Sequence, residues 1–373
     1  MEAYMRIIKR HKQCPHCHGT HTRKHGFIYR KKRNLDNRII KTIRWYCYAC
    51  KRAFCDTKTI HKFSYAIKAA RHYFISRASY RNTARQLHIN HMTAYSHIQA
   101  VCHRAKMPWE LSQELSPQWS GYLLIDSDQI IVHNRPEYLL LGVDAHTRDI
   151  PSAILTRTQT IADWQLLFKT LTDINYPFKA LISDGYQSNL TAINETFPHL
   201  PRQLCVKHFY DETYRFLRYR PFRQHLDPKK TDLFMKHLHH VLFARSYGHY
   251  KGELNHLFNH PKLSHHFFKE HIKRLEYFLP YMTPHFFDPN IPRTTNIIEN
   301  VIGQLDLKLN PIIKFDSHER AWATIKTIIA WYSFKKFSNC RKRYKHHNGK
   351  APLELAGVQL KNTPWIYQAI RQF

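Results

Sequence analysis

Acidic residues follow three short apolar runs in the middle of the sequence. The runs YLLI, LLLGV and ALIS lead directly into Asp126, Asp144 and Asp184. Short apolar runs rich in β-branched and aliphatic residues are typical of buried strands. A carboxylate beside such a strand either binds a cation or caps the strand in solvent, because an unpaired charge is costly inside a sheet. Both interpretations stay open for each residue taken alone.

Each of these acids has an ordinary alternative. Asp128 stands two residues after Asp126 and shares its face of a strand, so it is a rival for the same role. The segment after Asp144, AHTR, also suits a simple turn between strands. Asp184-Gly185 is a common hairpin dipeptide, although the following YQSNLTAINETF is typical of a helix and not of a returning strand.

A fourth acid, Glu299, lies in RTTNIIENVIGQLD. Ile297, Ile298 and Val301 form an apolar stripe at helical spacing, and Glu299 falls well off that stripe. Gly303, one turn later, leaves room for a metal ion or a phosphate backbone to approach. An ordinary solvated helix residue would give the same pattern.

Two Cys-x-x-Cys pairs near the N-terminus predict a zinc site. Cys14 and Cys17 form the first pair, Cys47 and Cys50 form the second, and 29 residues separate the pairs. This gap is longer than in most four-cysteine motifs, but four thiolates still supply the tetrahedral sulfur set that zinc prefers. The intervening segment alternates as a hairpin would. Four unrelated buried cysteines are the alternative.

Helical patterns follow the cysteine pairs. The stretch SYRNTARQLHINHMTAYSHIQAV predicts helix, short turn, helix, which is the pattern of a helix-turn-helix that places its second helix in the DNA major groove. A generic helical hairpin is the alternative here, and a charged surface is the alternative for the basic run near the C-terminus. The predicted DNA contacts are Arg81, Arg85, Thr93 and Tyr95 in the first segment and Arg341, Lys342 and Arg343 in the second.

Composition points to a polyanionic partner. The 373 residues include 58 Lys and Arg against 27 Asp and Glu, for a net charge of +31, and hydrophobic residues make up 43%. This apolar content excludes a disordered basic tail, and the charge favours nucleic acid through counterion release. The apolar runs are shorter than a membrane span, and MEAYMRIIKRHKQC lacks the apolar core of a signal peptide. Paired cysteines indicate a reducing compartment, so we expect a cytoplasmic, nucleoid-associated protein without a membrane partner.

The motifs together resemble the DDE transposases of bacterial insertion sequences, in the branch close to the mutator-like elements. The resemblance lies in LLIDSDQIIV, GVDAHTRDIPSAIL, LISDGYQS, QLCVKHF and RTTNIIENVIGQLD, with NGKAPLELAG near the C-terminus. It implies an RNase H-like fold with one Asp on the first strand, one after the fourth strand and a Glu on a later helix. These positions fall on Asp126, Asp184 and Glu299. The Cys-x-x-His motif of that branch falls on Cys205 and His208, for which we expect a positioning role.

The resemblance also implies chemistry and domain layout. Three carboxylates offer oxygen ligands to two Mg²⁺ or Mn²⁺ ions, which activate water or a DNA 3′-hydroxyl. We therefore expect an α/β protein whose RNase H-like catalytic domain carries a helical insertion. The predicted domains are a zinc ribbon over 1–60, a helix-turn-helix domain over 61–106, a linker over 107–119, a catalytic domain over 120–340 with its insertion at about 209–292, and a basic tail over 341–373.

The resulting functional hypothesis is a transposase that binds the ends of a mobile element and cuts and joins DNA strands. Synapsis of two ends implies a homo-oligomer. The alternatives are a DNA-binding regulator that no longer cleaves and a metal-dependent nuclease without strand transfer. Three clustered carboxylates argue against the regulator, because they repel one another unless a cation joins them.

Overall fold

The computed structural model describes residues 12–17, 19–31, 39–55, 59–76, 79–219, 227–360 and 362–371. Residues 1–11, 18, 32–38 and 56–58 of the predicted ribbon and the side chain of Arg343 lie outside this description. The chain divides into two compact units, Met1–Ala66 and Ile67–Phe373. The finer domain boundaries stay predictions. Within the ranges above, no helix has the length and apolar character needed to cross a bilayer.

The described chain contains two sheets and a series of helices. The strands are β1 (Thr22–Lys31), β2 (Ile39–Cys47), β3 (Arg52–Cys55), β4 (Tyr122–Val132), β5 (Arg135–Asp144), β6 (Ser152–Thr156), β7 (Ala180–Ser183) and β8 (Arg202–Leu204). The helices are α1 (Thr59–Ile75), α2 (Tyr80–Gln86), α3 (His91–Cys102), α4 (Pro108–Leu115), α5 (Ile161–Asp173), α6 (Gln187–Thr196), α7 (Val206–Tyr219), α8 (Pro228–Leu242), α9 (Tyr247–Phe258), α10 (His266–Met282), α11 (Asn296–Leu309), α12 (His318–Phe334), α13 (Pro352–Leu355) and α14 (Trp365–Ala369).

The first unit contains an antiparallel sheet in the order β1-β2-β3. Thr22 at the start of β1 pairs with Cys47 at the end of β2, and Cys47 pairs with Arg52 on β3. In this register, the start of β1, which follows the Cys14–Cys17 pair, lies next to the Cys47–Cys50 pair. The alternation between the pairs therefore forms strands, as the sequence predicts.

The second unit is built on a mixed five-stranded sheet in the order β6-β5-β4-β7-β8. Strands β4, β5 and β6 pair antiparallel, whereas β7 lies parallel to β4 and β8 lies parallel to β7. Central β4 has neighbours on both edges, and Leu123, Leu124 and Ile125 are all fully buried. Burial of both faces explains why these strands appear in the sequence as continuous apolar runs.

Helices cover the two faces of this sheet. Leu123 and Ile125 pack with Trp164 and Phe168 of α5, which begins with a capping box at Thr160. Side chains alternate along a strand, so the side chains of the even-numbered residues of β4 point to the opposite face of the sheet. Helix α11 contacts β4 there. This face, between β4 and α11, carries Asp126 and Asp128.

The sequence predicts a helical insertion at about 209–292. The described residues of this stretch form most of α7 and all of α8, α9 and α10. These helices have a core of their own, in which the Phe234 and Phe268 rings stack with centroids 5.0 Å apart. Much of the aromatic content of this stretch is therefore packing.

Two segments are more ordered than the sequence predicts. The linker predicted over 107–119 contains α4, because Pro108 opens the helix and the Glu110 carboxylate accepts the backbone N–H of Met107 at 2.8 Å. The tail predicted over 341–373 packs back, and Leu353 and Ala369 join a core cluster with Leu111 of α4. Local capping and distant apolar partners decide both outcomes.

Candidate active site

The register of the sheet places Asp126 next to Asp184. Leu124 on β4 pairs with Ile182 on parallel β7, and two residues further along each chain stand Asp126 and Asp184. Side chains on one face of a strand repeat every two residues, so Asp126 lies on the same face as Leu124 and Asp184 on the same face as Ile182. Strand β7 ends at Ser183, which makes Asp184 the first residue of the turn.

The turn after β7 holds the Asp184 carboxylate in place. Gly185 has φ +91°, a left-handed conformation that other residues rarely adopt, and it directs the chain from β7 into α6. The Tyr186 N–H and the Asn189 amide then donate to Asp184 Oδ1 at 3.1 and 2.9 Å. Asn189 is 1% exposed, so its position is fixed by packing.

Glu299 enters the same face from the first turn of α11. Ile298 and Val301 are buried, whereas Glu299 lies off the apolar stripe and is partly exposed. The Thr295 hydroxyl donates to Glu299 Oε1 at 3.1 Å. His208 Nδ1 lies 3.9 Å from the same oxygen.

The electrostatics of Asp126 reflect this convergence. The pKa of Asp126 is raised to about 7, first by burial and then by the neighbouring carboxylates of Asp184 and Glu299, which together outweigh the lowering effects of the Ser127 N–H and His208. Carboxylates on three separate elements therefore influence one another. Such a set suits a divalent cation with oxygen ligands, because the cation offsets the mutual repulsion.

Asp128 has a different neighbour. It follows Asp126 on the same face of β4, and its carboxyl shares a hydrogen bond with Asp306 on α11. Burial and the charge of Asp306 raise the pKa of Asp128 to about 6. Asp306 lies about two helical turns beyond Glu299, so Asp128 faces the far part of α11 and Asp126 its first turn.

Asp144 is a structural carboxylate. Its side chain is fully buried, and its oxygens accept hydrogen bonds from Ser120, Gly121, His146, Thr147 and Tyr176 at 2.8–3.2 Å. These bonds tie the turn after β5 to the entry of β4 and to the segment before β7. The oxygens already have protein partners, which leaves them poorly placed to bind a metal ion.

Cys205 and His208 lie at the start of α7, next to the acids. Cys205 Sγ accepts the backbone N–H groups of Thr295 at 3.3 Å and His208 at 3.5 Å. Burial raises the pKa of the Cys205 thiol, but hydrogen bonds from His208 and Thr295 outweigh it and leave that pKa lowered. The hydrogen bond with Cys205 raises the pKa of His208 to about 9, and nearby Asp184 and Glu299 contribute.

Asn189 and Thr295 are polar partners of the acids that the sequence does not single out. Both are buried, and each donates to a carboxylate of the site. Their spacing carries a weak signal, since Asn189 is five residues after Asp184 and Thr295 is four residues before Glu299. Neither spacing is distinctive without the helices that bring the partners together.

The four predicted zinc ligands converge in the first unit. The sulfur atoms of Cys14, Cys17, Cys47 and Cys50 all lie within 4.8 Å of one another, with the closest pairs at 3.5 and 3.6 Å. A tetrahedron of Zn–S bonds of about 2.3 Å has edges of roughly 3.8 Å, so the cluster can hold zinc. No other group of three or more such ligands is as compact in the described ranges, and the three acids are arranged more openly.

The predicted DNA contacts of the helical segment are mostly at the surface. Arg81, Arg85 and Thr93 are exposed, and Asn90 caps α3 through the Met92 N–H. Tyr95 is partly buried and packs edge-on against the Tyr80 ring at 5.1 Å. Near the C-terminus, Arg341 and Lys342 are exposed.

No protein-family model matches the chain, and no curated protein matches it. Among solved structures, the chain is similar to the HTLV-2 integrase catalytic core domain in complex with magnesium (trimeric form), with 10% identity, a TM-score of 0.21 and coverage of 34% of this chain and 86% of that one. It is also similar to a simian T-cell lymphotropic virus intasome in complex with PP2A regulatory subunit B56 gamma, with 13% identity, a TM-score of 0.19 and coverage of 48% and 69%. Likeness at these TM-scores carries no weight for the function.

Proposed function

We propose that the protein is a transposase that binds the ends of a mobile element and catalyses metal-dependent cleavage and transfer of DNA strands. One observation carries the proposal: Asp126, Asp184 and Glu299, far apart in sequence, converge on one face of a mixed sheet. Their elements are the first strand of that sheet, the turn after its fourth strand and a later helix. This is the arrangement that the resemblance to DDE transposases implies.

Asp126, Asp184 and Glu299 would hold the divalent ions. When bound, Mg²⁺ or Mn²⁺ would supply the activation of water or of a 3′-hydroxyl and offset negative charge on the leaving oxygen. The chain's own part is to fix the ligands before DNA arrives. Asn189 restrains Asp184, and Thr295 restrains Glu299. Restraint of this kind lowers the reorganisation needed for reaction.

DNA recognition would come from the elements before the sheet and from the charge of the chain. Exposed Arg81 and Arg85 on α2 and Thr93 on α3 mark the proposed DNA-binding surface, with α3 as the helix that would enter the major groove. The four-cysteine cluster would stabilise the ribbon with zinc. Pairing of two element ends would require at least two copies of the chain.

The test is cleavage of a plasmid that carries the element ends, with Mg²⁺ present. Variants Asp126→Asn, Asp184→Asn and Glu299→Gln keep the shape of each side chain and remove its charge. We expect each to lose at least about 10²-fold in cleavage rate. Asp173→Asn is the matched control, because Asp173 is an exposed aspartate that pairs with Lys169 on α5.

Full activity of any acid variant would remove that residue from the site. Failure of the wild type to cleave, with intact DNA binding, would favour the regulator. Cleavage that leaves the 3′ ends unjoined to a target would favour the nuclease. Joined products that depend on all three acids would support the transposase.

A further inference from the structure

We propose that Thr295 positions Glu299 for metal binding, with its hydroxyl as the link between His208 and the glutamate carboxylate; this inference rests on the proposed function. Thr295 is fully buried at the junction of α7 and α11. Its hydroxyl oxygen lies 3.1 Å from Glu299 Oε1 and 3.1 Å from His208 Nδ1. The role is that of a positioning residue, because Thr295 acts on the site through Glu299.

The hydrogen bonding of the Thr295 hydroxyl is unusual for a residue at the N-terminus of a helix. Thr295 is the N-cap of α11, where a threonine hydroxyl ordinarily accepts a backbone N–H of the first turn. Here the side chain caps no backbone N–H. The hydroxyl faces the carboxylate one turn later instead, so a stabilising cap is given up in favour of a contact with the site.

Hydrogen positions follow from counting donors. A hydroxyl carries a single hydrogen, and of the two acceptors that the Thr295 hydroxyl contacts, Glu299 Oε1 and the Cys205 sulfur, we assign it to the Glu299 carboxylate. Thr295 must then accept from His208, which places a hydrogen on Nδ1 of the imidazole. The contacts form one directed chain from His208 through Thr295 to Glu299. Each bond in such a chain polarises the next.

The backbone of Thr295 is fixed independently of its hydroxyl. Its N–H donates to Cys205 Sγ at 3.3 Å, and the Val206 N–H donates to the Arg293 carbonyl at 3.2 Å. These bonds join the start of α7 to the segment that enters α11. They do not involve the Thr295 side chain, so the hydroxyl can be removed without removing them. Thr295→Val is therefore a sharp test, because valine keeps the branched shape and lacks only the hydroxyl.

The experiment is a Mn²⁺ titration of the full-length protein without DNA, followed by electron paramagnetic resonance of free Mn²⁺. We expect Thr295→Val to raise the Kd for Mn²⁺ about tenfold, the usual effect of losing a hydrogen bond to a metal ligand. Glu299→Gln should weaken binding at least as much. Thr295→Ser should match the wild type because it restores the hydroxyl. Thr213→Val is the matched control, since Thr213 is a fully buried threonine whose hydroxyl has no hydrogen-bond partner within the described chain.

The outcomes separate this inference from the function on which it rests. Wild-type Mn²⁺ affinity in Thr295→Val, together with weak binding in Glu299→Gln, overturns the inference and leaves the proposed function standing. Weak binding in Thr295→Ser as well as Thr295→Val overturns the role of the hydroxyl. Wild-type affinity in Glu299→Gln overturns the metal site and the inference together. If Thr295→Val unfolds at a lower temperature than Thr213→Val, the Thr295→Ser affinity decides.

Discussion

Asp126 and Asp144 lie on adjacent strands of one sheet, and their surroundings differ in kind. The Asp144 oxygens accept hydrogen bonds from five surrounding residues, whereas Asp126 has the Ser127 N–H and two neighbouring carboxylates. A carboxylate satisfied by protein donors stabilises a fold, and one placed near like charges destabilises it. The same residue type therefore serves structure in one place and chemistry in the other.

This contrast predicts opposite effects on stability. Asp144→Asn should lower the free energy of unfolding by about 3 kcal/mol, because on either side an amide NH₂ would face backbone N–H groups, which only donate. Asp126→Asn should raise it at pH 8 in the presence of a chelator, by at most about 4 kcal/mol, the equivalent of a pKa raised by about three units. The measurement is urea unfolding of both variants and the wild type.

The sign for Asp126 follows from its pKa. The folded-state pKa is raised to about 7, above the value of about 3.9 for an unfolded aspartate. Stability is therefore complete below about pH 4 and is lost as the pH rises toward 7, so at pH 8 the wild type carries the full penalty. A loss of stability in Asp126→Asn equal to that in Asp144→Asn would show that Asp126 is also a structural residue.

The three acids are easier to find in the sequence than the residues that hydrogen-bond them. Asp126, Asp184 and Glu299 stand out because each interrupts or leaves an apolar pattern. Asn189 and Thr295 interrupt nothing, and their importance comes from tertiary contacts with those acids. Polar residues that stabilise other polar residues leave little trace in hydrophobic periodicity.

At the scale of elements, periodic segments are the predictable ones. Strands β4 and β7 and helix α11 follow from apolar patterns that burial enforces. Helix α4 and the packed C-terminal segment do not, because a Pro–Glu capping pair and a few scattered apolar residues are too sparse to form a period. Their order depends on the common cluster that contains Leu111 and Leu353.

The four-cysteine element predicts a zinc stoichiometry of one per chain. Cys14→Ser should lose the metal and weaken end binding, because it removes one of the four ligands. Cys55→Ser is the matched control, since Cys55 lies on β3 of the same sheet and outside the cluster. Metal analysis of the purified proteins checks both. Stoichiometric zinc in Cys14→Ser would contradict the assignment.

For helices α2 and α3, we expect that loss of a phosphate contact and loss of base preference can be measured separately. Arg85→Ala should weaken binding to end DNA and lower the salt slope of log K by about 1, as expected for one lost phosphate contact. Thr93→Ala should reduce the preference for end over random DNA while leaving that slope unchanged. Fluorescence anisotropy over a range of salt concentrations measures both quantities. Equal affinities for wild type and both variants would remove α2 and α3 from the DNA interface.

At the scale of the whole molecule, the charge is too large to be neutralised within the chain. The 27 carboxylates cannot pair with all 58 cationic side chains, and several carboxylates are already engaged by the site or by N–H donors. The surplus favours a polyanion with many phosphates. Attraction of this kind depends on ionic strength more than on sequence.

Affinity for random-sequence duplex should therefore fall by about 10³-fold or more between 50 and 200 mM salt, the loss expected for six to ten phosphate contacts. The double variant Arg341→Gln with Lys342→Gln should reduce the salt slope by about 2, because both side chains are exposed. The matched control is Lys169→Gln with Arg320→Gln, since these cations already pair with Asp173 and Asp316. Anisotropy titrations at several salt concentrations give all three slopes. A control slope reduced as much as that of the test variant would show that net charge, and not the C-terminal basic segment, governs the contact.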